Sequence, residues 1–420
     1  MKSWSLDDCE RVGCSFATFL RKRKTADVAL SAWTLNYPQL GIIMEEVQGC
    51  KDFMLVIAKN TLRDSIYGTI YRVVIGAGLS ILDGTTDLYV LATYYQSNLV
   101  SEANTLLAMI LTNFLFQMIV VHVQYRQGTI AEKVKESMIT LLFLRPAVDA
   151  YRVSTNHEMN NSAFDSLAEM FFNKGIELAT ESIPGCLLQL IVFVGQGEES
   201  GRYALVSILI SALTTGYTSA MISFDMDLDE IRRKKYPTIY GFVPDDNALR
   251  GRIFLLMMLI STLHNLNRTL GFAMLGLSDS KLFLYFFGGE LALYFSYKVL
   301  RGEFIYFLRI ENKPIKYIVS FLERILGKIV CDFSGCIHMR IPGELGGLAH
   351  LATVIYSQIF PFIALFFFDG AKETKSIAAH FLLSTTVIWA GLYLVFLASI
   401  DFAYIDTFFS PVVSPKFFCN

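Results

Sequence analysis

Between residues 167 and 194 the chain reads LAEMFFNKGIELATESIPGCLLQLIVFV. The run is long enough to cross a bilayer as a helix, yet it carries Glu177 and Glu181 well inside it. Residues four apart share one face of a helix. A carboxylate near the bilayer centre costs about 2.5–3.5 kcal/mol on insertion scales. Two of them on one face need partners, water or a task. Pro184 follows them, and Gln189 lies beyond it.

The rest of the chain agrees with a membrane setting. Of its 420 residues, 53% are hydrophobic and 18% charged, with a mean hydropathy of +0.45; soluble domains carry about 25% charged residues. Several apolar runs exceed the roughly 18 residues that read as membrane-spanning. The net charge of −2 is uninformative about nucleic acid, and no nucleic-acid partner is expected. The N-terminal MKSWSLDDCERVGCSF is acidic, with too short an apolar stretch for a secretory signal. The seven cysteines give no disulfide framework, since all but Cys186 fall in segments assigned to the reducing cytosol. Cys331, Cys336 and His338 lack the fourth ligand of a zinc site. No cofactor or metal is expected.

Eight spans are predicted, at residues 66–95, 104–125, 167–194, 203–224, 253–277, 282–300, 348–368 and 376–400. Orientation follows from lysine and arginine in the loops. Basic tracts follow span two (Arg126, Lys133, Lys135, Arg145, Arg152), span four (Arg232 to Lys235, Arg250, Arg252) and span six (Arg301 to Arg340). The alternate loops are short and poor in these residues. The chain is therefore expected to be an all-α, multi-pass integral membrane protein with both termini cytosolic. Residues 1–62 form an N-terminal cytosolic segment, 63–400 the transmembrane domain and 401–420 a cytosolic tail. Two long cytosolic tracts each hold a short amphipathic piece, SMITLLFLRPAVDAYRV and YIVSFLERILGKIV, which suits re-entrant or interfacial helices. Their positions divide the domain into two pseudo-symmetric halves, 63–228 and 250–400, on hydropathy alone.

The deeply placed charges are Asp83, Asp87, Glu177, Glu181, Arg268 and Glu290. Asp83 and Asp87 repeat the four-residue spacing on span one. Arg268 is the expected counter-charge, because arginine stays protonated and grips carboxylates in a fork. Five acids against one arginine do not balance, so water or protons are expected among them. Such a set serves either as a buried network that fixes helix register or as a polar path for ions, protons or lipid headgroups. The serines and threonines of span four read as small residues for close helix approach. The SFDMDLDE exit of span four lacks the glycine and final glutamate of a calcium loop and reads as a solvated helix end. No phosphate loop, HExxH, serine elbow or triad occurs, so no enzymatic activity is expected.

These motifs carry a resemblance. LDGTTDLYVLATYY in span one, ELATESIPGCLLQL in span three, VSILISALTTGYTSA in span four and NLNRTLGFAML in span five resemble, in order, helices of the XK-related family of membrane proteins, which includes phospholipid scramblases. The match departs at Gly185, where that family has glutamine. The pattern ESIPG…ISFD…YGFVPD also resembles multi-span proteins of unicellular eukaryotes. The resemblance implies eight spans with two partly inserted helices. It also implies a track of Asp83, Asp87, Glu177, Glu181 and Arg268, to which Gln189 and Glu290 are added here, along which headgroups slide while acyl tails remain in lipid. The expected partners are membrane phospholipids and an accessory membrane or cytosolic protein. The rival expectations are a proton- or cation-coupled transporter or channel, and a non-transporting scaffold.

Overall fold

The computed structural model describes residues 5–22, 26–63, 68–155, 166–196, 201–229, 240–244, 247–300, 313–335 and 348–400. Among these residues the secondary structure is entirely helical. Five helices are long and apolar enough to cross a membrane: Thr69–Gln96, Val100–Gln124, Ser166–Gln196, Tyr203–Leu228 and Lys372–Ser399. They match predicted spans one to four and eight. Helices also occupy the places of the other three, at Asn247–Ser278, Ser280–Leu300 and Leu348–Phe367. The tail 401–420, the basic run 232–235, and Cys336 with His338 lie outside the described residues.

Ahead of the spans, α1 (Leu6–Lys22), α2 (Ala26–Asn36), α3 (Pro38–Glu46) and α4 (Cys50–Arg63) pack on one another. They share an apolar core of Val12, Phe16, Leu20, Leu30 and Trp33. Trp33 Nε1 donates to the Val12 carbonyl at 3.0 Å, so the one polar atom of the indole is satisfied inside that core. The described part of the N-terminal segment is thus a small helical unit with its own core.

The first half begins with α5 (Thr69–Gln96) and α6 (Val100–Gln124), joined by a tight turn. Asn98 takes φ +59° there, a conformation that asparagine tolerates better than most residues. A capping box between Thr129 and Glu132 starts α7 (Ile130–Leu141). After a turn with Phe143 at φ +58°, α8 (Arg145–Thr155) runs on. The first amphipathic piece is therefore a helical hairpin. Its apolar edge, Val134, Met138, Leu141, Leu142 and Leu144, is exposed.

Next come α9 (Ser166–Glu177), a π turn (Leu178–Ser182), α10 (Ile183–Gln196) and α11 (Gly201–Leu228). Pro184 accounts for the π turn. It has no N–H to offer the Thr180 carbonyl four residues back, and the Ile183 N–H reaches past Ala179 to the Leu178 carbonyl.

The second half holds α12 (Asn247–Ser278), α13 (Ser280–Leu300), α14 (Lys313–Ser334), α15 (Leu348–Phe367, containing Pro361) and α16 (Lys372–Ser399). Its centre is α12, which packs on α10, α11, α13, α14, α15 and α16. The closest approach is at Gly216 of α11. A Cβ there would lie 2.1 Å from Thr262 Oγ1 and 2.8 Å from the Met258 carbonyl, so only glycine fits. Small residues in α11 do permit close approach, as expected. Around the outside, large apolar side chains stand exposed, among them Leu111, Leu115 and Ile119 on α6 and Leu383, Val387, Ile388 and Leu394 on α16. Such surfaces are stable against hydrocarbon rather than water.

Candidate functional site: a buried polar stripe in the first half

Polar residues recur on α9 and α10 at positions 169, 173, 177 and 181, with Gln189 two turns further on; all five side chains are buried. At 1.5 Å per residue, Glu169 to Gln189 covers about 30 Å, the thickness of a bilayer's hydrocarbon core. Facing them on α5 stand Ser80, Asp83 and Asp87, all buried.

At one end of the stripe is an ion network on α7, α8 and α9. Arg145 contacts Glu136 and Asp149 at 3.0 Å each, and also Glu169. Arg152 bonds Glu136 at 2.6 Å and the Tyr125 hydroxyl at 2.9 Å. Gln124 donates to Glu169 at 3.0 Å and Asn173 to Asp149 at 3.0 Å. The expectation that Arg145 and Arg152 are loop cations facing lipid or water is corrected: both are buried. Three acids meet two arginines. Burial raises the Asp149 carboxyl above its ordinary value, against the pull of Arg145. Burial alone would lower the Arg145 guanidinium, but Asp149, Glu169 and Glu136 together carry it upward.

The middle of the stripe holds the predicted acids. Lys174 bonds Ser80 and lies 3.0 Å from Glu177. Asp83 accepts from Ser182 at 3.0 Å and from Ser211 at 2.6 Å. Asp87 accepts from Gln189 at 2.8 Å and, at 3.5 Å, from Ser207. Glu181 accepts from Asn113, whose carbonyl is bonded by Gln117 at 2.9 Å. Two of the α11 serines therefore do more than allow close packing. They are donors to buried aspartates.

Arg268 is elsewhere. It pairs with Glu290 and lies 3.6 Å from Asp332, which also takes Lys328. Phe272, Phe333 and Phe360 surround its guanidinium at 5.1–5.6 Å, within cation–π range. Of the seven residues singled out in the sequence, Asp83, Asp87, Glu177, Glu181 and Gln189 gather in the first-half stripe, and Arg268 with Glu290 in a second-half cluster. The expected pairing of Arg268 with the four acids is not found; Glu177 takes Lys174, inside the same apolar run, and the other three accept from neutral donors. The repeating i, i+4 pattern continued back from Glu177 to Asn173 and Glu169 was the signal that the polar face is longer than two residues.

The exit of span four also differs from expectation. Asp225 is buried and paired with Arg72, whose guanidinium lies 4.6 Å above the Phe224 ring. Asp227 accepts the backbone N–H groups of Gly241, Phe242 and Val243 at 2.9, 3.4 and 3.0 Å. The YGFVP segment folds back onto the helix end, so of the aspartates predicted to be solvated Asp227 anchors that segment and Asp225 is buried against Arg72. Among the described residues no group of three or more His, Cys, Asp or Glu stands placed to hold a metal ion.

Five membrane-length helices around buried charge define a multi-helix membrane protein. No protein-family model and no curated protein matches the chain.

Proposed function

We propose that the protein is a scramblase-like membrane protein that moves phospholipid headgroups along the polar stripe between α5, α6, α9–α10 and α11. The observation that carries this reading is the length of the stripe: charged and hydroxyl groups follow one another over about 30 Å, the full depth a headgroup must cross. Such groups replace water around a zwitterion, with carboxylates facing its amine and guanidinium groups its phosphate. Movement down a gradient requires no nucleotide. Asp87, Ser211 and Gln189 are fully buried, so the stripe is closed in this conformation and lipid entry requires α5 or α6 to part from α9–α10.

In this proposal the chain crosses the membrane eight times in two halves, with both termini cytosolic. The packing supports it: α12 contacts α13, α14 and α16 as α5 contacts α6, α8 and α11. Reconstitution into liposomes with a fluorescent lipid in both leaflets tests the function. Bleaching by an impermeant reductant beyond the outer-leaflet share, slowed in Glu181→Gln, is expected. Bleaching that stops at the outer-leaflet share overturns it.

A proton- or cation-coupled transporter is the second reading, favoured by the four buried carboxylates Asp83, Asp87, Glu177 and Glu181, of which only Glu177 is paired with a cation, Lys174. Flux driven by a pH or cation gradient without lipid exchange selects it.

A further inference from the structure

Asp87 has one oxygen satisfied and one bare. Oδ1 takes Gln189 Nε2 at 2.8 Å and Ser207 at 3.5 Å, while Oδ2 has no partner although the residue is 0% exposed. Gln189 repeats the pattern: its Nε2 is used, its Oε1 is unpartnered, and it too is 0% exposed. Native structures pair nearly all buried polar atoms, so an unpaired one calls for a missing partner. Both atoms here are acceptors, and what they lack is something electropositive.

The space beside it is small. Asp87 Oδ2 faces Gly185, where an added Cβ would touch that oxygen and Leu106 Cδ1 at 3.8 Å each, ordinary van der Waals contact, so the missing side chain leaves about a methyl group's space. The nearest resident cation does not serve. Lys174 is engaged by Ser80 and Glu177, and Ser80 lies seven residues before Asp87, about 10 Å along α5. The other charges in the middle of the stripe besides Lys174, namely Asp83, Glu177 and Glu181, are acidic and add negative potential, and Arg145 and Arg152 at its far end are engaged by Glu136, Asp149 and Glu169.

We propose that Asp87 and Gln189, with the gap beside Gly185, bind one monovalent alkali cation. Hard oxygen donors select hard cations. A single carboxylate joined by a neutral amide oxygen matches one positive charge, and the described residues lack the several acidic ligands of a divalent site. The site stands independently of lipid movement.

The test is thermal unfolding of the purified full-length protein in detergent, in NaCl, KCl and N-methyl-D-glucamine chloride at equal ionic strength. One alkali cation is expected to raise the melting temperature in a saturable way above the glucamine control. Asp87→Asn is expected to abolish that increment. So is Gly185→Ala, whose methyl fills the space beside Oδ2 at ordinary contact distance, with the protein still monodisperse. Equal melting in all three salts, a shift that follows pH but not the identity of the cation, or an increment retained in Gly185→Ala would each overturn the proposal. If lipid exchange fails while the cation increment is present, the site stands and the scramblase reading falls.

Discussion

The ammonium of Lys174 lies 3.0 Å from Glu177, three residues along the same helix, while Asp83, Asp87 and Glu181 nearby are held by neutral donors. Removing one partner of a buried ion pair strands the other and costs about 3–5 kcal/mol. Lys174→Met is therefore expected to lower the melting temperature sharply. The double variant Lys174→Met/Glu177→Gln recovers part of the loss, since it removes a stranded acid together with its cation. Thermal unfolding in detergent reads both.

Arg268 holds Glu290 and Asp332 together inside a ring of phenylalanines. Arg268→Ala takes the cation from Glu290 and leaves Asp332 with Lys328 alone, and is expected to impair folding by a similar ~3–5 kcal/mol, seen as low yield and early melting. Arg268→Lys restores charge without the planar fork and is expected to recover only part. Wild-type melting for Arg268→Ala would refute the assignment.

At Gly216 the packing of α11 on α12 leaves no space for a methyl group. Gly216→Ala pushes Thr262 and the Met258 carbonyl, and overpacking of this kind costs about 1–3 kcal/mol. Gly175, with nothing near its missing Cβ, is the control position, where alanine is expected to be neutral or mildly stabilising.

The surplus acid at the end of the stripe predicts a pH dependence. Asp149 has its carboxyl raised by burial, so the folded state holds its proton more tightly than the unfolded chain does. Its contribution to stability is greatest below the ordinary aspartate range and declines as pH rises through the raised value. Asp149→Asn keeps an acceptor for Asn173 and removes that decline. The variant's melting temperature should vary less than that of the parent protein as pH rises above the ordinary aspartate range.

Much of the architecture was legible in the sequence because lipid leaves few options: long apolar runs become helices, and helices stand at all eight predicted places. The polar residues were harder to assign. A hydropathy pattern shows that Glu181 is inside but not which neighbour it meets, and the nearest-looking cation, Arg268, belongs to Glu290 instead. Arg145 and Arg152 looked like loop cations because positive-inside counting treats every loop arginine alike. Their burial depends on the α7–α8 hairpin folding against α9, a tertiary event without a periodic signature. Lys174 escaped attention because a lone lysine in a spanning run reads as tolerated at a helix end.

The π turn at Leu178–Ser182 bears on how one helix serves two neighbours. An α-helix advances about 100° per residue; the wider π turn advances less, and so shifts the phase of everything after it. Glu177 looks toward Lys174 and the α5 side, while Glu181, four residues on, looks toward Asn113 of α6. The helix thus carries two polar faces timed to different partners, with one surplus residue as the offset. Relaxing the turn to ordinary α pitch with no residue removed, the outcome expected of Pro184→Ala, would swing Gln189 away from Asp87 and break the upper half of the stripe without changing a single charge.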